Sequence, residues 1–148
     1  MSKRHAGLTE NISGLQVFHL FSDSYQATLS LPQSIQSLKN IALYFLGVIS
    51  ILGNLQSLET LDLDKCKINE LLDGLAKLSN LRLLNLRSYE IMRNNPFEVI
   101  EGCSSLEELS LIQCLMLISL FQVTTARSLV SLAIVCCSHL EYIIIDER

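Results

Sequence analysis

Leu58-Glu59-Thr60-Leu61-Asp62-Leu63-Asp64-Lys65-Cys66 is the stretch whose reading decides the fold. Leu61 and Leu63 alternate with Asp62 and Asp64. Side chains of a strand point to opposite faces in turn, so the two leucines share one side and the two aspartates the other. Leu58, three residues before Leu61, turns into the same core, and Cys66 closes the strand three residues after Leu63. Working outward, the pattern L-x-x-L-x-L appears earlier as Leu15-x-x-Phe18-x-Leu20 and Leu38-x-x-Ile41-x-Leu43. It appears later as Leu81-x-x-Leu84-x-Leu86, Leu106-x-x-Leu109-x-Leu111 and Leu129-x-x-Leu132-x-Ile134.

The steps between the central residues 18, 41, 61, 84, 109 and 132 are 23, 20, 23, 25 and 23. These lie within the ~20–29 residue period of leucine-rich repeats. Strands that far apart in sequence cannot be joined by a tight hairpin, so they run parallel, with a crossover on the far side. The expected fold is therefore an α/β leucine-rich-repeat solenoid, a curved horseshoe segment. Its parallel sheet, with strands at 18–20, 41–43, 61–63, 84–86, 109–111 and 132–134, lies on the concave face. Irregular or short helical turns are expected on the convex face, where 31–35, 71–75 and 95–102 open with turn residues and close with apolar ones. Pro96 suits the first turn of a helix that Gly102 ends.

Residues 1–14 read as a lead-in and 15–148 as one domain of about six repeats, open at its C-terminal end. Leu140, Ile143, Ile144 and Ile145 fit a last convex segment without a following strand. Repeat arrays normally need polar caps, so the isolated chain is expected to self-associate through its ends.

Composition agrees with a large aliphatic core: of 148 residues, 49% are hydrophobic and 18% charged, and none is tryptophan. The longest apolar stretches, 41–52 and 111–123, reach about a dozen residues. A spanning helix needs ~20, so no membrane span is expected. Met1-Ser2-Lys3-Arg4-His5 leads into no apolar signal core, which sets the expectation of a cytoplasmic protein. Eleven Lys and Arg against fifteen Asp and Glu give −4, a balance unsuited to nucleic acid. Five cysteines are an odd number and read as reduced thiols.

Three phrases are specific: Leu31-Pro32-Gln33-Ser34-Ile35-Gln36-Ser37-Leu38, the run 52–63 from Leu52-Gly53-Asn54-Leu55 onward, and the run 95–109 from Asn95-Pro96-Phe97-Glu98 onward. On these the chain resembles the leucine-rich-repeat region of plant intracellular immune receptors of the coiled-coil, nucleotide-binding type. The resemblance covers nearly the whole chain. It implies repeats that restrain a nucleotide-binding switch domain and sense pathogen effectors. No G-x-x-x-x-G-K-[ST] loop is present, so nucleotide binding is not carried over, and the chain is expected to be a fragment or a truncated relative. Leu46 and Tyr89 stand where that repeat places cysteine or asparagine, marking two less regular repeats.

Cys66, Cys114 and Cys137 fall where a side chain points under the strand, as small hydrophobes bonding loop backbone. Cys136, Cys137 and His139 form no zinc set, because adjacent cysteines face opposite ways and no second ligand pair follows. Asp62 and Asp64 are a possible Mg²⁺ pair, but solvated strand carboxylates are the simpler reading, with Arg87 one repeat on as partner for Asp64. Asn11-Ile12-Ser13 matches a glycosylation sequon that matters only in a secreted chain. His5, His19 and His139 sit in no catalytic pattern, so no enzyme activity, cofactor or metal is expected.

The concave positions are set by parity. One row reads Phe21, Tyr44, Asp64, Arg87, Ile112, Val135 and its neighbour His19, Ala42, Asp62, Asn85, Ser110, Ala133. Ser22, Phe45, Lys65, Ser88, Gln113 and Cys136 flank them at the strand ends. Exposed aromatics near arginine have the composition of interface anchors. Phe21, Tyr44, Phe45 and Arg87 are thus the leading contact residues, with Asp62, Asp64, Asn85 and Ile112 completing the partner-binding set. A neighbouring domain covering the same patch is an equal alternative.

The expected function is protein recognition: effector sensing and autoinhibition in plant innate immunity. The partner is a pathogen effector, a guarded host protein or the receptor's own nucleotide-binding domain. Alternatives are the substrate-recruiting repeats of a ubiquitin ligase, which also favour cysteine at the strand end, and a truncated decoy. An extracellular receptor of the plant L-x-G-x-I-P type is excluded by the absence of that motif.

Overall fold

The computed structural model describes residues 14–22, 28–29, 37–44, 48–49, 55–66, 75, 77–87, 100, 102–115, 117, 119–120 and 127–143. In chain order the strands are β1 Val17–Phe21, β2 Thr28–Leu29, β3 Asn40–Tyr44, β4 Val48–Ile49, β5 Thr60–Asp64 and β6 Leu83–Arg87. They continue as β7 Glu108–Ile112, β8 Ser119–Leu120, β9 Ser131–Val135 and β10 Tyr142–Ile143. Six of them form one parallel sheet in the order β1-β3-β5-β6-β7-β9, with no strand inserted or reversed. This is the architecture that the repeat spacing predicts, each strand reaching one residue further at both ends.

The repeat aligns in register without a slip, so two inward rows run across the sheet: Phe18, Ile41, Leu61, Leu84, Leu109, Leu132 and Leu20, Leu43, Leu63, Leu86, Leu111, Ile134. Leu38, Leu58, Leu81 and Leu106 pack beneath them, and from β3 to β7 both rows are buried. Each fully buried leucine contributes about 1.5–3 kcal/mol from removal of apolar surface alone. In β1 and β9 the same positions are half-buried, since each of these strands has one sheet neighbour among the described residues.

Repetition is equally plain in the backbone. In the first five repeats the carbonyl just before the strand accepts two N–H groups of the next one: Gln16 O takes Lys39 and Asn40 at 2.9 and 3.0 Å, and Glu59 O takes Arg82 and Leu83 at 2.8 and 3.0 Å. At the strand ends the chain passes through left-handed backbone at Lys65 (φ 52°), Gln113 (φ 55°) and Cys136 (φ 55°). This turn drops the next residue under the sheet, and in each case that residue is a cysteine. The thiol of Cys66 donates to Leu43 O at 3.3 Å, that of Cys114 to Leu86 O at 3.7 Å, and that of Cys137 to Leu111 O at 3.6 Å. The structural role read for these three cysteines is the one they have.

Two short parallel pairs, β2 with β4 and β8 with β10, tie neighbouring crossovers on the far side. Pairings of two residues leave no periodic signal in a sequence. Leu75 and Ile100 have helical backbone and are buried, while most of the helix expected from Pro96 lies outside the described residues, as do Leu46 and Tyr89. Tyr142 and Ile143 place the tail in a convex segment, as its sequence suggests.

Cys103 lies beneath the sheet, donating to Leu75 O at 3.1 Å, and burial pushes its thiol up to about 11. An unfolded thiol ionises first, so stability falls as pH rises from the ordinary cysteine range through about 11 and is untouched below it. Accordingly, a maleimide should label exposed Cys136 in the folded chain and reach Cys66, Cys103 and Cys114 only after unfolding. Mass spectrometry of timed labelling checks this, and equal rates at all sites contradict it.

Candidate functional site

The outward row of the sheet is the candidate site. Phe21 at the end of β1 is 71% exposed, and its ring lies 5.8 Å from that of Tyr44, tilted by 33°. Successive register partners carry the row on through Asp64, Arg87, Ile112 and Val135. Beside it run Asp62, Asn85 and Ser110, all partly exposed, whereas Ala42 in the same row is buried. All seven described contact candidates follow the strand parity to this face. Phe45 lies outside the described residues.

The middle of the face is acidic and poorly compensated. Burial raises the Asp62 carboxyl above its usual range, and the nearby Asp64 charge adds to this. Arg87 and a hydrogen bond from Asn85 act in the opposite direction. Asp64 Oδ1 is shielded from solvent without a hydrogen-bond partner. The expected Asp64–Arg87 pair is not formed: they align in register, but the ion pairs among the described residues are Lys39–Glu59 and Arg82–Glu107. Arg87 acts instead on Asp62. An ion pair needs both long side chains to reach one another, which alignment of their Cα atoms does not ensure.

Among the described residues no three His, Cys, Asp or Glu side chains gather to hold a metal. Cys137 is turned toward backbone carbonyls while Cys136 is exposed, as their adjacency dictates.

A polar groove at the start of the strands escaped the sequence reading. It encloses about 630 Å³ between Lys39, Glu59, Arg82, Glu107 and a margin of serines. Lys39 Nζ meets Glu59 Oε1 at 2.9 Å and Arg82 meets Glu107 at 2.7 Å, both at exposed positions. The hydrogen bond from Arg82 holds the Glu107 carboxyl below its usual range. The available signal was the alternation Lys39, Glu59, Arg82, Glu107 at one repeat position, two residues before the first inward strand residue.

Neither protein-family models nor curated proteins match this sequence. In fold it is similar to the crystal structure of an internalin from Listeria monocytogenes, with a TM-score of 0.52 and 18% identity. The superposition covers 93% of this chain and 50% of that one, so the chain spans half the length of that internalin chain. The likeness extends to the fold, a leucine-rich-repeat solenoid with an unclosed sheet.

Proposed function

We propose, from the leucine-rich-repeat solenoid as premise, that this chain is a protein-recognition module whose open sheet face receives the partner. One observation carries the reading: outward positions aligned across adjacent strands hold an aromatic pair, an acidic pair, an arginine and aliphatics, where short polar residues would keep a sheet soluble. Aromatic and arginine side chains at a partly desolvated surface are the residues that dominate protein interfaces.

The family-like phrases support a finer reading: the recognition and autoinhibition region of a plant immune receptor acting in the cytoplasm, with an effector, a guarded host protein or the receptor's own nucleotide-binding domain as partner. The cysteines under β5, β7 and β9 also suit the substrate-recruiting repeats of a ubiquitin ligase. Sequencing the full-length transcript separates these. A phosphate-loop domain in frame upstream is expected; an F-box there favours the ligase, and neither favours a decoy.

The coarser reading is tested by a photo-crosslinking amino acid placed at Phe21, Tyr44 or Ile112 in the chain expressed in leaf cells, with Lys77 as control. Discrete protein adducts from the first three sites and none from Lys77 are expected. Adducts independent of position, or none at all, contradict the open face as a docking surface.

A further inference from the structure

We infer that the open face takes an extended protein segment of alternating pattern, apolar–x–basic–x–acidic–x–aliphatic, read from the Phe21 end. The inference rests on the reading of this face as a docking surface and names the chemistry of the partner.

Strand spacing supplies the ruler. Neighbouring strands lie ~4.8 Å apart, whereas same-side residues of an extended segment recur every ~6.7 Å. With the first side chain between Phe21 and Tyr44, roughly 2.4 Å along, the second falls at roughly 9 Å, against roughly 9.6 Å for Asp64 on the third strand. The third falls at roughly 16 Å, near Arg87 at roughly 14 Å, and the fourth at roughly 22 Å, between Ile112 and Val135. Four contacts thus match four successive chemistries of the row without forcing the segment out of extended geometry.

Each contact answers something on this face. The tilted Phe21–Tyr44 pair offers an apolar seat, with Phe21 71% exposed. Asp62 and Asp64 are partly exposed and close enough for the Asp64 charge to act on Asp62, so a guanidinium or ammonium group arriving from a partner meets two neighbouring carboxylates on this face. Charge-assisted bonds of this kind are the strong ones, and the adjacent Tyr44 ring favours a cation as well. Arg87 is exposed and carries the opposite sign one strand further on, which fixes the order basic then acidic and disfavours the reverse. Ile112 and Val135, the latter 45% exposed, end the row with aliphatic surface.

The test is a phage-displayed library of random dodecapeptides panned on the full chain, with bound sequences read by deep sequencing. Enrichment of a basic residue two positions from an apolar one, with an acidic residue two positions beyond, is expected. A synthetic peptide of that sequence should bind about tenfold more weakly when its basic residue becomes Gln, and also to the chain carrying Asp62→Asn and Asp64→Asn. Combining both changes should cost little more than either alone. Arg87→Glu should shift the selected acidic position toward Lys or Arg, while Lys77→Glu should leave selection unchanged. Peptides that depend on Phe21 yet show no charge order overturn this inference and leave the docking surface standing. Peptides insensitive to Phe21→Ala and Arg87→Glu, or none enriched, overturn both.

Discussion

Leu61→Asp and Leu84→Asp each unfold the array, whereas Asp64→Ala leaves its stability within about 1 kcal/mol of the parent. Leu61 and Leu84 are fully buried in the inward row, paired in register on β5 and β6. Replacement forfeits about 1.5–3 kcal/mol of burial and strands a carboxylate with no partner, a further cost of several kcal/mol. A chain of this size has about 5–15 kcal/mol to lose, and in a repeat array a break in the middle removes two neighbour interfaces at once. Asp64 directly follows core Leu63 in sequence but faces outward, and its Oδ1 makes no hydrogen bond to lose. Urea titration followed by far-ultraviolet circular dichroism checks all three variants, and equal midpoints contradict the assignment of faces.

The second large effect belongs to backbone geometry. Lys65→Pro and Gln113→Pro should each destabilise the chain by about 3 kcal/mol or more. Proline fixes φ near −65°, but these residues sit at 52° and 55°. Their N–H groups also donate to Arg87 O at 3.0 Å and Val135 O at 2.8 Å, bonds that proline cannot make. The same geometry predicts the opposite sign for Lys65→Gly, a gain of up to about 1 kcal/mol less whatever its side chain contributes. Differential scanning calorimetry resolves these signs. A proline variant as stable as the parent shows that the turn before the cysteine is not needed to hold it under the strand.

Particular residues show why some of this was legible in the sequence. Leu58, Leu61 and Leu63 recur in six copies, and period-two alternation then assigns every strand residue to a face, so both core rows and the outward row follow from spacing alone. No glycine or asparagine marks the left-handed turns at Lys65, Gln113 and Cys136, so that conformation is imposed by the parallel ladder on either side and carries no local signature. The Asp64–Arg87 pairing was misread because register places Cα atoms, while side-chain reach decides ion pairs. The groove around Arg82 and Glu107 was missed for a related reason: parity extended one step past the strand would point them inward, but the chain bends there and exposes them.

The most direct test of the account is a lysine scan across β5 and β6, one position at a time from 61 to 64 and from 84 to 87, with the urea midpoint measured for each variant. Loss of stability is expected at 61, 63, 84 and 86 and near-parent midpoints at 62, 64, 85 and 87, in the same phase on both strands. A scan in which the damage ignores this alternation, or runs in opposite phase on the two strands, contradicts a single parallel sheet with one face in the core and the other open to a partner.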